Sequence, residues 1–228
     1  MSRNIALIPA AGVGARFGAG KPKQYVAING KTVLQHTVDI FLNHPQIHHV
    51  AVVLSPQDCV FQTASNDKIS LLHCGGETRA ETVRNGVDAL LENGTATADD
   101  NVLVHDAARC CLPPEALSRL IEQAGNAPAG GILAVPVADT LKRAGAANQI
   151  AATVSRSGLW QAQTPQLFQA ALLQRALRAE DLSAVTDEAS AVEAVGMQPL
   201  LVEGDSRNLK LTLPQDEYIV RLLLGAKI

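Results

Sequence analysis

The sequence predicts an α/β fold in which a mostly parallel sheet is covered by helices on both faces. Short runs rich in β-branched residues alternate along the chain with longer stretches whose apolar residues recur at helical spacing. The strand runs are apolar throughout instead of alternating apolar with polar, the mark of strands buried on both sides, and that pattern belongs to parallel sheets between helical layers. At 228 residues, 47% of them hydrophobic, the chain is long enough to bury one sizeable core, so a single domain over 1–228 is expected.

Asn4 to Pro9 reads as the first strand, and after a long loop Leu34, Val38, Phe41 and Leu42 mark one face of a helix. His49 to Leu54 is a second strand ended by Ser55-Pro56, Ile69 to His73 a third, and Val83, Val87, Leu90 and Leu91 line the next helix. Val102 to Val104, a helix stripe of Leu117, Leu120, Ile121 and Ala124, and a strand from Gly131 to Val135 continue the rhythm. It breaks over residues 139–163, where the small-residue turn Ala144-Gly145-Ala146-Ala147-Asn148 separates two strand-like segments. That stretch reads as a projecting β-hairpin arm. An isolated two-stranded ribbon is marginal in water, so the arm points to dimerisation, with packing on its own domain as the alternative. Helical spacing returns at Leu172, Leu173, Ala176 and Leu177 and again over Ala189 to Val195, before a strand from Leu200 to Glu203 and a closing helix holding Ile219, Leu222 and Leu223.

The net charge of −3 gives no global positive field for a nucleic-acid backbone or an anionic membrane surface, so neither is an expected partner. The apolar run Ile5 to Ala11 is far too short for a bilayer and is closed by Gly12, which leads to the expectation of a cytoplasmic protein. Cys59, Cys74, Cys110 and Cys111 form no C-x-x-C pair and read as reduced thiols. His44, His48 and His49 cluster without an acidic neighbour to complete a metal site.

The chemistry concentrates after the first strand, in Pro9-Ala10-Ala11-Gly12-Val13-Gly14-Ala15-Arg16-Phe17-Gly18 followed by Lys21-Pro22-Lys23-Gln24. Small residues let backbone amides approach a phosphate chain, and Arg16 and Lys23 add fixed positive charge. A dinucleotide fingerprint starting at Gly12 needs glycine where Phe17 stands, and a Walker loop ending at Lys21 needs glycine at Ala15 and Ser or Thr at Pro22. The run A-G-x-G-x-R-x-G with a later P-K resembles instead the signature of nucleotidyltransferases acting on sugar and polyol phosphates.

Further matches are Gly75-Gly76-Glu77-Thr78-Arg79-Ala80-Glu81-Thr82-Val83, Val104-His105-Asp106-Ala107-Ala108-Arg109, Pro136 to Lys142, Thr164-Pro165-Gln166, Thr186-Asp187-Glu188-Ala189-Ser190, Glu203-Gly204 and Asn208-Leu209-Lys210-Leu211-Thr212. In this order, over nearly the whole chain, they resemble the 2-C-methyl-D-erythritol 4-phosphate cytidylyltransferase family. One departure is Cys110, where the family usually has proline after the arginine of the D-A-A-R run. The resemblance implies a Rossmann-like sheet of the nucleotide-diphospho-sugar transferase type, with the hairpin arm exchanged in a homodimer so that each arm completes its neighbour's site.

By residue match, the resemblance implies that Ala10, Ala11, Gly12, Gly76, Glu77 and Thr82 surround cytosine and ribose, while Asp106 holds the ribose side and a Mg²⁺ ion. It implies that Arg16, Lys23 and Lys210 contact the triphosphate or the phosphate under attack. Arg109, Thr140, Arg156, Thr164 and Thr186 are implied to handle methylerythritol phosphate. Plainer readings stand beside these: Asp106 as a helix cap, Arg156 as a solvated hairpin charge, Thr164 as the end of an extended segment before proline, and Lys210 as an outward residue on a strand. The implied reaction is transfer of the cytidylyl group of CTP to methylerythritol phosphate. A ribitol-5-phosphate cytidylyltransferase and a nucleotide-sensing protein without turnover are the alternatives.

Overall fold

The computed structural model describes residues 2–12, 22–63, 66–178, 182 and 184–225. Among them the chain runs through β1 (Asn4–Pro9), β2 (Ala27–Ile28), β3 (Lys31–Thr32), α1 (Val33–Leu42), β4 (His49–Val53), β5 (Ile69–Leu72), α2 (Arg79–Glu92) and β6 (Asn101–Val104). It continues through α3 (Pro114–Ala124), β7 (Gly131–Pro136), β8 (Leu141–Ala144), β9 (Ile150–Val154), β10 (Trp160–Gln169), α4 (Ala170–Ala176), α5 (Glu188–Ala194), β11 (Leu200–Glu203) and α6 (Asp216–Gly225).

The main sheet of the described residues has the order β11-β7-β10-β6-β1-β4-β5. β1 pairs in parallel with β4 and β6, β4 with β5, and β7 with β11, whereas β10 is antiparallel to both of its neighbours. The expected mostly parallel α/β architecture is therefore present. Its two helical layers follow from residue parity along β1. Ala6 and Ile8 turn into one layer with Leu34, Val38 and Phe41 of α1 and Leu117 and Leu120 of α3. Ile5 and Leu7 turn into the other, with Val83, Val87 and Leu90 of α2, Leu173 of α4 and Val192 of α5. Each large side chain so buried stabilises the fold by about 1.5–3 kcal/mol, so both faces are needed to offset chain entropy. None of the described helices is long and apolar enough to cross a membrane.

Local chemistry sets the helix starts that border the site. Thr78 caps α2 by accepting from the Glu81 N–H while the Glu81 carboxylate accepts from the Thr78 N–H, and Asp187 forms the equivalent box with Ser190 at α5.

Three elements differ from the sequence reading. β10 was not expected beyond the arm, because Gln163-Thr164-Pro165-Gln166 is polar and contains a proline that cannot donate to a ladder. The structure places it in the middle of the sheet, with a register shift between Ala162 and Gln166 that leaves Thr164 and Pro165, joined by a cis peptide, out of the regular ladder. The hairpin pairs Leu141 with Val154, but Trp160 to Gln163, expected within the arm, belong to β10, where Trp160 pairs with Pro136 of β7. Finally, Lys210 is not on a strand. Its segment is tied to the body by the Leu211 N–H bonding the Ala108 carbonyl at 2.9 Å, with Leu211 buried, and no ladder forms.

Candidate active site

The carboxyl edge of the sheet opens into a cleft of about 360 Å³ between the loop after β1 and the turn after β6. After β1 the chain adds β4 and β5 on one side, then crosses back through α2 to place β6 on the other side of β1, the kind of switch point where open α/β sheets leave a crevice for ligands. Buried Gln24 fixes the path of the first loop by donating from Nε2 to the carbonyls of Ala10 and Gly12 at 3.0 and 2.8 Å. A Cβ added to Gly12 meets no described atom within 4 Å, and Gly12 lines the cleft. Gly75 is the reverse case: a Cβ there would collide with Ala11 Cβ and lie 2.8 Å from the Leu54 carbonyl oxygen, so the second loop packs directly on the first. The Gly76 N–H donates to Thr82 Oγ1 at 3.1 Å and that hydroxyl donates to the Thr78 carbonyl at 2.9 Å, which holds the second loop against α2.

Charge converges on Asp106, at the end of β6. Its Oδ1 accepts from Arg79 Nε at 2.9 Å, its Oδ2 from Lys210 Nζ at 2.9 Å, and Arg109 Nε lies 3.5 Å from Oδ2. Burial by itself raises the affinity of Asp106 for a proton, but Arg79 and Lys210 outweigh it and hold the carboxyl well below the usual range. Arg79 continues the network by forking onto Glu188, with Nη1 and Nη2 at 2.6 and 3.0 Å from the two carboxylate oxygens. Glu188 is 1% exposed; burial raises its pKa and the Arg79 charge offsets part of that rise. Lys23 lines the same cleft and donates from Nζ at 3.0 Å to the carbonyl of Leu211, the residue after Lys210.

Behind the cleft, Thr164 Oγ1 accepts from the Asp106 N–H at 3.0 Å and sits 3.0 Å from His105 Nδ1. The hydroxyl proton therefore points to Nδ1, and Nε2–H donates to the Arg109 carbonyl at 2.9 Å, which assigns the neutral Nε2–H tautomer. Burial lowers the His105 pKa to about 4, in keeping with a neutral ring. Arg109 Nη1 donates to the carbonyl of Asn208 at 2.6 Å, and the Asn208 amide donates to the Thr164 carbonyl at 2.7 Å and to Gln163 Oε1 at 3.2 Å. Among the described residues, Arg109 Nε and Asn208 Oδ1 are buried side-chain atoms without a hydrogen-bond partner.

A glycine-containing loop, two lysines lining one cleft and a cation-ringed aspartate suit a nucleoside triphosphate and a second anion. The model of the family 2-C-methyl-D-erythritol 4-phosphate cytidylyltransferase (IspD) matches residues 4–225. The chain belongs to this family. The enzyme of that name from Neisseria gonorrhoeae is 67% identical over 227 residues, covering 98% of each chain. The one from Laribacter hongkongensis is 53% identical over 228 residues, covering 99% of this chain and 97% of the relative. Among solved structures, a crystal structure of 4-diphosphocytidyl-2C-methyl-D-erythritol synthase matches with a TM-score of 0.87 at 61% identity, covering 99% of this chain and 100% of that one. The Francisella tularensis 2-C-methyl-D-erythritol 4-phosphate cytidylyltransferase matches at 0.82 and 35%, covering 97% and 100%.

Against the IspD expectation, the cleft brings together Ala10, Ala11 and Gly12 from the first loop, Gly76, Glu77 and Thr82 from the second, and Lys23, Asp106 and Lys210. Arg109 and Thr164 stand behind it, each joined to Asp106. Thr140 and Arg156 are exposed around the hairpin, and Thr186 is exposed at the start of α5, where its N–H donates to Ser190 Oγ at 3.1 Å; none of the three lines the cleft of this single chain. Arg16 lies outside the described residues. Lys210 faces Asp106 because an irregular segment carries it there, and Asp106 caps no helix, since α3 begins only at Pro114.

Sequence reasoning assigned no role to Gln24, Arg79 or Glu188. All three stood inside the quoted motifs, but nothing local announced that the Gly75–Val83 and Thr186–Ser190 runs meet through the Arg79–Glu188 fork. His44, His48 and His49 are each engaged separately, with Ser118 Oγ, the Asn4 N–H and Ser70 Oγ.

No three His, Cys, Asp or Glu side chains cluster to hold a metal among the described residues. Asp106 fits a different arrangement. Its Oδ1 accepts from Arg79 and keeps a second lone pair, while Oδ2 faces Lys210 at 2.9 Å and Arg109 Nε at 3.5 Å. One carboxylate suits a Mg²⁺ ion whose other ligands are phosphate oxygens and water.

Proposed function

We propose that this chain transfers the cytidylyl group of CTP to 2-C-methyl-D-erythritol 4-phosphate, releasing pyrophosphate and forming 4-diphosphocytidyl-2-C-methyl-D-erythritol for isoprenoid precursor synthesis. The observation that carries the reading is the convergence of Lys23, Lys210 and Asp106 on one cleft beside Gly12, in a chain of this family.

A phosphate monoester oxygen of the acceptor attacks the α-phosphorus of CTP, and the bond to the bridging oxygen of pyrophosphate breaks on the far side. Both reactants are polyanions, so the chief task of the site is to supply positive charge where it accumulates on the α-phosphoryl and leaving oxygens. Lys23 and Lys210, with Arg16, carry that task. The acceptor phosphate has a second pKa of about 6, so near neutral pH it needs little deprotonation, and no nucleophilic side chain is involved. Ala10, Ala11, Gly12, Gly76, Glu77 and Thr82 hold the nucleoside. Arg109, whose Nε lies 3.5 Å from Asp106 Oδ2, is the cation for the acceptor, joined by Thr164 behind the cleft and Thr186 before α5. Asp106 would hold Mg²⁺, which supplies charge neutralisation on the phosphate oxygens when bound.

The same reading makes the 139–163 arm the contact of a homodimer, with Thr140 and Arg156 delivered to the neighbouring site. Its support is the exposed hairpin itself and the exposed apolar side chains of Ile150, Leu159 and Trp160 at and beside it. The free state of Cys59, Cys74, Cys110 and Cys111 suits the reducing cytoplasm.

Pyrophosphate release with CTP and Mg²⁺ tests the proposal, comparing methylerythritol 4-phosphate with ribitol 5-phosphate as acceptor. Preference for the former is expected. Preference for ribitol 5-phosphate reassigns the acceptor, and release with neither removes catalysis from the reading.

A further inference from the structure

We propose that Glu188 is a positioning residue for cytidylyl transfer, acting through Arg79 to hold Asp106 and, with it, Lys210 in place. The proposal rests on the transfer reaction above. Glu188 does not line the cleft; it sits at the start of α5, 1% exposed, with both carboxylate oxygens taken by Arg79. Arg79 is the first residue of α2 and its side chain is 31% exposed on the wall of the cleft. Its remaining contact is Nε to Asp106 Oδ1, and the other Asp106 oxygen takes Lys210. Four charges of alternating sign thus run from the dry interior to the substrate: Glu188, Arg79, Asp106, Lys210.

Two physical consequences follow from the fork. A guanidinium is the side chain best shaped to bind phosphate, and one at the wall of a triphosphate site competes with productive binding unless it is held. With Nη1 and Nη2 both on Glu188, Arg79 cannot turn toward the nucleotide without breaking two charge-assisted hydrogen bonds at once. The same restraint makes Arg79 a rigid strut, so Asp106 keeps the orientation that aims Lys210. A buried ion pair gains little stability over apolar residues of the same volume, so stability alone does not account for a carboxylate here, whereas orientation does.

Glu188→Gln keeps the shape but loses the charge and one acceptor. In steady-state kinetics we expect kcat to fall about tenfold or more with the KM for CTP unchanged or lower, because Arg79 then binds the nucleotide unproductively. In an Arg79→Gln background the same change is expected to cost less than about twofold, since the group it acts through is gone. A folded Glu188→Gln enzyme with wild-type kcat, or equal losses in both backgrounds, overturns the proposal. If Glu188→Gln does not fold, Glu188→Asp takes its place: it keeps the charge on a shorter stem, and unchanged kcat there overturns the proposal equally. Wild-type turnover measured in parallel separates this from failure of the reaction reading. If the wild type does not turn over, the position of Arg79 in a crystal structure of Glu188→Gln or Glu188→Asp decides: away from Asp106 supports the proposal, and still on Oδ1 overturns it.

Discussion

Thr164 and Asp106 meet where two distant parts of the chain close the floor of the site: the Asp106 N–H donates to Thr164 Oγ1 at 3.0 Å, and both residues are buried. The hydroxyl accepts from Asp106 on one side and faces His105 Nδ1 on the other, so it spans the two residues that follow β6. This bond fixes the peptide that carries the Asp106 carboxylate, and the register shift in β10 is what frees Thr164 to reach it.

Thr164→Val removes the acceptor while keeping the volume, leaving a buried N–H and a buried imidazole nitrogen unsatisfied. Urea unfolding should show a loss of about 1–3 kcal/mol, and turnover should fall with it. Thr164→Ser keeps the hydroxyl and should restore most of both. A valine variant as stable and active as wild type would show that the bond neither holds the turn nor matters to the site.

Lys23→Ala removes a cation from the cleft that holds Asp106 with little effect on packing, since the lysine is only half-buried. Removing one well-placed donor from a site where charge develops costs about 3 kcal/mol, so turnover should drop at least about a hundredfold. Circular dichroism should remain that of the wild type. Near-normal turnover in the folded variant would take Lys23 out of the mechanism.

Acid stability should depend on Asp100, far from the cleft. Its carboxylate, 6% exposed, accepts from the Arg3 N–H and Nη2 at 2.8 and 2.7 Å and from the Thr97 N–H and Oγ1 at 2.8 and 2.9 Å. Burial raises its pKa, but the hydrogen bonds from Arg3 and Thr97 prevail and depress it. A depressed folded-state pKa means stabilisation that is present above the ordinary aspartate value of ~3.9 and is lost as pH falls through the folded value. Asp100→Asn should therefore be less stable than wild type by roughly 2 kcal/mol at pH ~7, with the gap closing in strong acid. A gap that stays constant with pH would assign it to packing.

Arg156 and Lys210 allow the proposed arm exchange to be tested directly. Arg156→Ala and Lys210→Ala should each be poorly active. If each site draws Arg156 from the partner and Lys210 from its own chain, mixed dimers contain one intact site, and re-equilibrated equal mixtures recover about a quarter of wild-type activity. No recovery, with dimers confirmed by light scattering, would place Arg156 outside the partner's site.

Much of the fold was legible because helices and doubly buried strands repeat with different periods, and parity along β1 writes both layers into adjacent residues. The loop from Pro9 to Gly12 and the turn from Val104 to Arg109 were likewise visible as small or charged residues directly following apolar strands. β10 was not, because Gln163 and Gln166 owe their burial to partners elsewhere, Gln163 to Asp205 and Asn208 and Gln166 to Asp187 and the Ala189 N–H. Polar residues satisfied only in three dimensions read as loop in one.

The sequence by itself determined the layered α/β fold, the glycine loop and which cations and carboxylates were available, since periodicity, backbone freedom and charge are properties of short segments. Only the tertiary structure decided which of those charges meet: that Arg79 spends its fork on Glu188, that Lys210 reaches Asp106 from an irregular segment, and that Thr164 supports the turn after β6. The physical reason is that an ion pair or buried hydrogen bond depends on ångström distances between side chains separated by up to 109 residues in the chain, and no local pattern encodes such a distance.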